Sequence, residues 1–190
     1  MATTISKGRY DNCKNTIGGL SKLYLAQFTP YRRNAFGFNG NVLTSIPTTF
    51  VHLFELTGNN TFSQSKNGDG YDQTLTVEFR KLDVQTTLQM MTLNYIELRA
   101  LVQDRNGNWF ILGLENGLES EGLSIETGDS KSAFNGYKMT FKGKETLSAP
   151  YVLTPFVKGF IDVTDPTEEY YQFQDYQAFH FQDGELFLFN

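Results

Sequence analysis

The chain is poor in the residues that usually carry chemistry. Among its 190 residues there is one cysteine, Cys13, which excludes an internal disulfide and any cysteine-rich metal site. There are two histidines, His52 and His180, and they fall in separate predicted strands. No GxSxG, HExxH or P-loop pattern occurs, so no nucleophile–base pair or phosphate cradle is expected. No apolar run approaches the ~20 residues that a membrane helix needs. The opening MATTISKGRYDNCK lacks an apolar core of signal-peptide type, which predicts a soluble protein made in a cytosol. A basic footprint is missing too: the net charge is −5. Residues 151–190 hold seven acids against Lys158, a net of −6, which leaves +1 for residues 1–150. That balance argues against holding nucleic acid by charge. An enzyme, a cofactor and a metal are all unexpected.

What the chain does have is turn chemistry between apolar runs. In YIELRALVQDRNGNWFILGLENG, Asn106-Gly107 separates two such runs, and Asn-Gly is the dipeptide that two-residue type I′ turns prefer. The incoming run puts Ile96, Leu98, Ala100 and Val102 on one face and Glu97, Arg99, Leu101 and Gln103 on the other, the alternation of a half-buried strand. The outgoing run, residues 109–112, is apolar on both faces, which predicts a strand covered on both sides or buried at a subunit interface. A second hairpin signal, SAFNGYKMTFKG, sets Tyr137, Met139 and Phe141 against Lys138, Thr140 and Lys142.

Further strands are predicted at 20–28, 46–56 and 74–80, with a short one at 123–125. Pro155 interrupts a strand-like run after Pro150, and Asp183-Gly184 marks a hairpin near the end. Residues 57–73 read as a long turn-rich loop with Phe62 as its apolar anchor. One helix is predicted over 83–95, with Asp83 as N-cap and Val84, Leu88, Met91 and Tyr95 on its core-facing side. Met90-Met91 reads as core filler.

Two cation patterns are decoys. Asp104, Asn106, Asn108 and Glu115 match ligand positions of a calcium loop, but the glycine such a loop needs is replaced by Trp109. NGDGYD at 67–72 is a second candidate of the same kind.

Together these signals predict a mostly β protein. It is an antiparallel β-sandwich or barrel with one flanking helix over residues 1–150, followed by an acidic, aromatic-rich β extension over 151–190. With 17 phenylalanines and 10 tyrosines, a single domain of this size has more rings than its core needs, which points to a protein partner. The interface candidates in the body are Phe62, Tyr71, Trp109 and Phe110. Those in the extension are Tyr170, Tyr171, Phe173, Tyr176, Phe187 and Phe189.

The segment QDRNGNWFILGLENGLESEGLSIETGDSKSAFNGYKMTFKGKETLSAP, with CKNTIGGLSKLYLAQF upstream, resembles a family of virion proteins from tailed phages of Bacteroides-type gut bacteria, the crAss-like group included. The features that carry it are the Asn-Gly hairpin, a G-x-x-N/R-G-L step, a Thr-Gly and N-G-Y-x-x-T-F-x-G-x-E, within residues 12–150. The resemblance implies a tail-tube-like fold assembled as a six- or twelve-fold homo-oligomeric ring in the virion tail. The implied partners are itself, neighbouring tail or connector proteins, and DNA passing without sequence-specific binding. The helix at 83–95 would flank the sheet, and the loop at 57–73 would reach a neighbouring subunit. The alternative reading is a monomeric β-sandwich module that holds glycans or proteins on exposed aromatics such as Trp109, Tyr170 and Tyr171.

Overall fold

The computed structural model describes residues 16–56, 58–153 and 158–163, and the backbone of 171–172 and 178–179. The elements run β1 (Leu20–Gln27), β2 (Gly37–Asn39), β3 (Val42–Glu55), β4 (Thr61–Asn67), β5 (Gly70–Arg80) and α1 (Val84–Leu93). After the helix come β6 (Leu98–Asp104), β7 (Trp109–Leu112), β8 (Glu119–Glu126) and β9 (Gly136–Glu145). The chain continues through β10 (Tyr151–Val152), β11 (Lys158–Asp162), β12 (Tyr171–Gln172) and β13 (Ala178–Phe179).

Two sheets make the body. The seven-stranded sheet runs β1-β6-β7-β10-β3-β11, with β2 paired to β3, and β3 also pairs with β1. The path β1–β6–β7–β10–β3 therefore returns to β1, a small closed barrel. Closure is possible because β3 is 14 residues long: Val42 and Leu43 pair with β10, while His52 to Glu55 pair with β1. The second sheet is four-stranded, β4-β5-β9-β8, with every neighbour antiparallel.

Alternation along the strands builds two cores. Tyr24, Leu43, Val51, Leu101, Trp109, Ile111 and Val152 fill the barrel. Leu23, Leu25, Leu98, Ala100, Val102 and Leu112 point the other way, onto Leu75, Val77, Phe79, Tyr137, Met139 and Phe141 of the four-stranded sheet. The expected strand at 109–112 is thus covered on both sides by its own chain. β6 departs from the half-buried pattern, because Arg99 and Leu101 are buried as well as the apolar face. The mostly β class with a single helix holds.

Several local expectations are corrected. Residues 57–73 are not a long loop: β4 and β5 pair through Thr61↔Thr76 to Asn67↔Gly70, and NGDG is their turn. Serine, threonine and glutamine hid a strand that packs only Phe62. The turn after β6 is not a two-residue type I′ turn. Gly107 N donates to Asp104 O and Asp104 N to Asn108 O, a three-residue loop with Gly107 in the left-handed region at φ 87. Asn135-Gly136 is not a turn either. Gly136 opens β9 opposite Arg80 and Glu126 at φ 156, where a Cβ would strike the Phe79 carbonyl.

The strand expected at 123–125 spans Glu119–Glu126, with a bulge between Ser120 and Gly122. β10 and β11, assigned from sequence to an extension beginning at 151, belong to the seven-stranded sheet, so that boundary cuts through the barrel. Near the end, Tyr171 pairs with Phe179 across 173–177, and the turn predicted at Asp183-Gly184 lies outside the described residues.

Candidate assembly surface

The predicted helix forms, but with the other side inward. Asp83 caps it as expected, accepting from Thr86 N at 2.8 Å and from the Thr86 hydroxyl at 2.5 Å. Those bonds, the hydroxyl's first, hold the Asp83 carboxyl below the usual carboxylate range. The side facing the sheets carries Met90 and Leu93, buried, and Thr87, half-buried. Tyr137 selects that side. Its hydroxyl lies 2.6 Å from Thr87 Oγ1, accepts from Asp83 N at 3.1 Å and donates to Asp83 O at 2.9 Å. At the other end Ser120 Oγ donates to Asn94 Oδ1 at 2.7 Å.

Polar contacts at both ends thus turn a partly polar face inward. The stripe expected in the core faces solvent instead: Val84 is 79% exposed, Leu88 63%, Met91 45% and Tyr95 87%. Of the neighbouring methionines, Met90 is core filler and Met91 is not. From Val84 to Ile96 the segment carries no charged residue.

The four-stranded sheet offers a second open surface. Among the described residues β4 pairs only with β5, and β8 only with β9. β4 pairs without a register shift and is exposed apart from Phe62. β8 is bulged, and two cross-strand ion pairs tie it to β9: Lys138–Glu126 at 2.9 Å and Lys142–Glu121 at 2.6 Å. A bulge and flanking charges are common protections of an edge strand, and β4 has only Lys66.

The interface residues predicted in the body are mostly consumed inside the chain. Trp109 is 7% exposed, within the barrel and 6.0 Å from the Tyr24 ring. Phe62 and Phe110 pack against each other, tilted, with ring centroids 5.9 Å apart, and Phe110 also meets Tyr151 at 4.7 Å. Strand 109–112 is covered on both sides, so Trp109 is corrected to internal packing, while Phe62 and Phe110, half-buried, spend their rings on each other. Tyr71 is half-buried on β5. Tyr170, Phe173, Tyr176, Phe187 and Phe189 lie outside the described residues, as does the side chain of Tyr171. With Trp109 buried, the glycan-binding alternative loses its body anchor.

Sequence reasoning also missed a buried polar joint around residues 113–117. Arg99 is 1% exposed. It donates to Leu114 O at 2.9 Å and Thr29 O at 3.1 Å, and lies over the Phe28 ring at 4.9 Å and the Tyr31 ring at 5.4 Å. Burial brings its pKa down to about 10, against the opposing pull of Tyr31 and Glu145. Its Nε and Nη1 have no hydrogen-bond partner among the described residues. From the other side Glu145, 2% exposed, accepts from Asn116 N at 2.9 Å and Glu115 N at 3.0 Å. Burial pushes its carboxyl up, while those bonds pull it back.

Gln73 Oε1 accepts from Gly113 N at 3.0 Å, which adds a tie from the four-stranded sheet. GLENGL, the glycine-bearing step of the resemblance, is therefore the hinge point where the two sheets are locked. An arginine inside LRALV was the available signal. The calcium-like residues are likewise structural: Asp104 is filled by Asn106 N, Asn108 N and Asn108 Nδ2 at 2.8 to 2.9 Å. No group of three or more metal-ligating side chains occurs among the described residues, and no helix there is long and apolar enough to cross a membrane.

Comparison with family models, with curated proteins and with solved structures found no match for this chain.

Proposed function

We propose that this protein is a structural subunit that closes into rings by joining sheet edges, a tail-tube-like or head–tail ring component of a tailed-phage virion assembled in the host cytoplasm. The observation that carries the reading is the two edges of the four-stranded sheet left unpaired among the described residues: β4 is unprotected, and β8, though bulged between Ser120 and Gly122, keeps its far side free of a strand. β4 and β8 lie at opposite edges and run in opposite directions, since three antiparallel pairings separate them. Copies related by rotation about an axis along the strands would set β8 of one against β4 of the next. That junction is antiparallel, so the sheet continues without a change of pairing type. Repetition closes a ring and removes every open edge of that sheet.

The resemblance to phage virion proteins supplies the setting, with six or twelve copies, tail or connector proteins as neighbours, and DNA as the passing cargo. The net charge of −5 suits a channel that repels DNA rather than holding it. The role is structural, without catalysis.

Native mass spectrometry of the full chain, with negative-stain images of the same sample, tests this. Closed rings or stacked tubes of a single copy number are expected. A monomer that persists at high concentration, with no ring in any image, would overturn it.

A further inference from the structure

We propose that the exposed stripe of α1 packs antiparallel against the same stripe of a second copy, about a two-fold axis. This contact uses a different surface from the edge-to-edge junction above. Val84, Leu88 and Met91 lie on α1 and Tyr95 on the turn that continues it, where Tyr95 N donates to Thr92 O; the four are spaced four, three and four apart, the spacing of a helix–helix seam. A narrow stripe of this kind fits one helix, and the seam has no charge to desolvate.

Three observations choose the direction and a fourth bears on the occupant. In an antiparallel pair, Val84 faces Tyr95 of the other copy and Leu88 faces Met91, so the smallest side chain meets the largest and the layers even out in volume. Lys81, exposed just before the helix, then lies beside Glu97, exposed just after it, and the two-fold axis makes that ion pair twice. A parallel pair would put Lys81 against Lys81 and Glu97 against Glu97. Antiparallel helices also set opposite dipole ends side by side. A membrane surface is a poor occupant, because a membrane-lying helix carries cations on its polar face and α1 carries none. The ten-residue helix is about 15 Å long, so the seam is a weak contact that acts between copies already held close.

Cross-linking tests it in the full chain. In a Cys13→Ser background, Val84→Cys and Tyr95→Cys proteins are prepared singly, then mixed under mild oxidation. The antiparallel seam brings position 84 of one copy beside position 95 of the other. Two copies of position 84 lie roughly 16 Å apart along the axis, beyond reach of a disulfide. The expected result is a disulfide dimer that forms in the mixture, at several-fold higher yield than in either protein alone, and is lost when Leu88→Glu is added to both. Dimers of each single-cysteine protein alone would overturn the direction, and no cross-link above a surface-cysteine control would overturn the contact. Both positions are exposed, so circular dichroism should match that of the parent. Images of the same samples separate the two proposals: a cross-link without rings sinks the ring reading, and rings without a cross-link sink this one.

Discussion

The two sheets solve the edge problem differently. The seven-stranded sheet bends until β3 meets β1 and finishes its barrel within one chain. β1, β6 and β7 are buried on both faces, with Leu101 and Ile111 inward and Val102 and Leu112 toward the other sheet. The four-stranded sheet is finished on one face only. Tyr137, Met139 and Phe141 are buried, but its outer strands are exposed and unpaired on their far sides among the described residues. α1 belongs with this second region, because it covers part of the core and leaves an apolar stripe outside. Both regions feed the shared core, and the second alone presents surfaces that a neighbour can complete.

The largest effect should separate core from stripe. Phe141 is fully buried between the sheets, so Phe141→Ala is expected to cost about 3–5 kcal/mol. Leu88→Ala, equally apolar but exposed on α1, should stay within about 0.5 kcal/mol of the parent. Urea unfolding of both variants measures this. A Leu88→Ala cost near that of Phe141→Ala would mean that the stripe is part of the monomer's own core, and the comparison would fail.

The joint between the regions comes next. Arg99→Met leaves the Leu114 and Thr29 carbonyls without their donor and Glu145 without its compensating charge, at a cost of about 3 kcal/mol. Glu145→Gln beside it should cost less than the sum of the two single changes, because the buried charges answer one another. The pH dependence has a definite sign. Burial raises the Glu145 carboxyl in the fold, so its contribution is full below the ordinary carboxylate range and is lost as pH rises through the raised value. The Tm of Glu145→Gln relative to the parent should therefore rise between pH 4.5 and pH 7.5. A gap that stays flat or falls would show that this carboxylate is well satisfied.

How much of this was legible depended on whether a residue's environment is local. Alternation gave β5 and β9 their buried sides, and Asp83 marked the helix start, since each signal lies within a few residues. The side of α1 that turns inward was not local. It is set by the Tyr137 hydroxyl, about 50 residues away along the chain, which outweighs a stripe that is apolar on paper. The two Asn-Gly dipeptides misled for a related reason: one gives its turn to the Asp104 carboxylate, and the other supplies a glycine that lets two backbones approach. β4 was illegible because its edge position buries only Phe62, leaving no alternation to read. Arg99 was read as the polar side of a half-buried strand, and only barrel closure makes that side an interior.

The smallest effect on stability should carry the largest effect on assembly. Ser65 lies on β4, exposed, paired across to Asp72 on β5 and without an apolar contact to lose. Ser65→Lys places a charge on the unbulged edge beside Lys66, and natural edge strands use lysine in this way to resist pairing. Thermal unfolding of the isolated chain should move by no more than the equivalent of about 0.5 kcal/mol. Ring formation, followed by native mass spectrometry, should fall sharply, because every junction in a closed ring repeats the same contact and carries the same added charge. Arg99 and Phe141 offer the inverse case, where stability falls first and assembly only follows. If Ser65→Lys forms rings as readily as the parent, the β4 edge is not a junction and the open sheet faces solvent in the assembled protein as well.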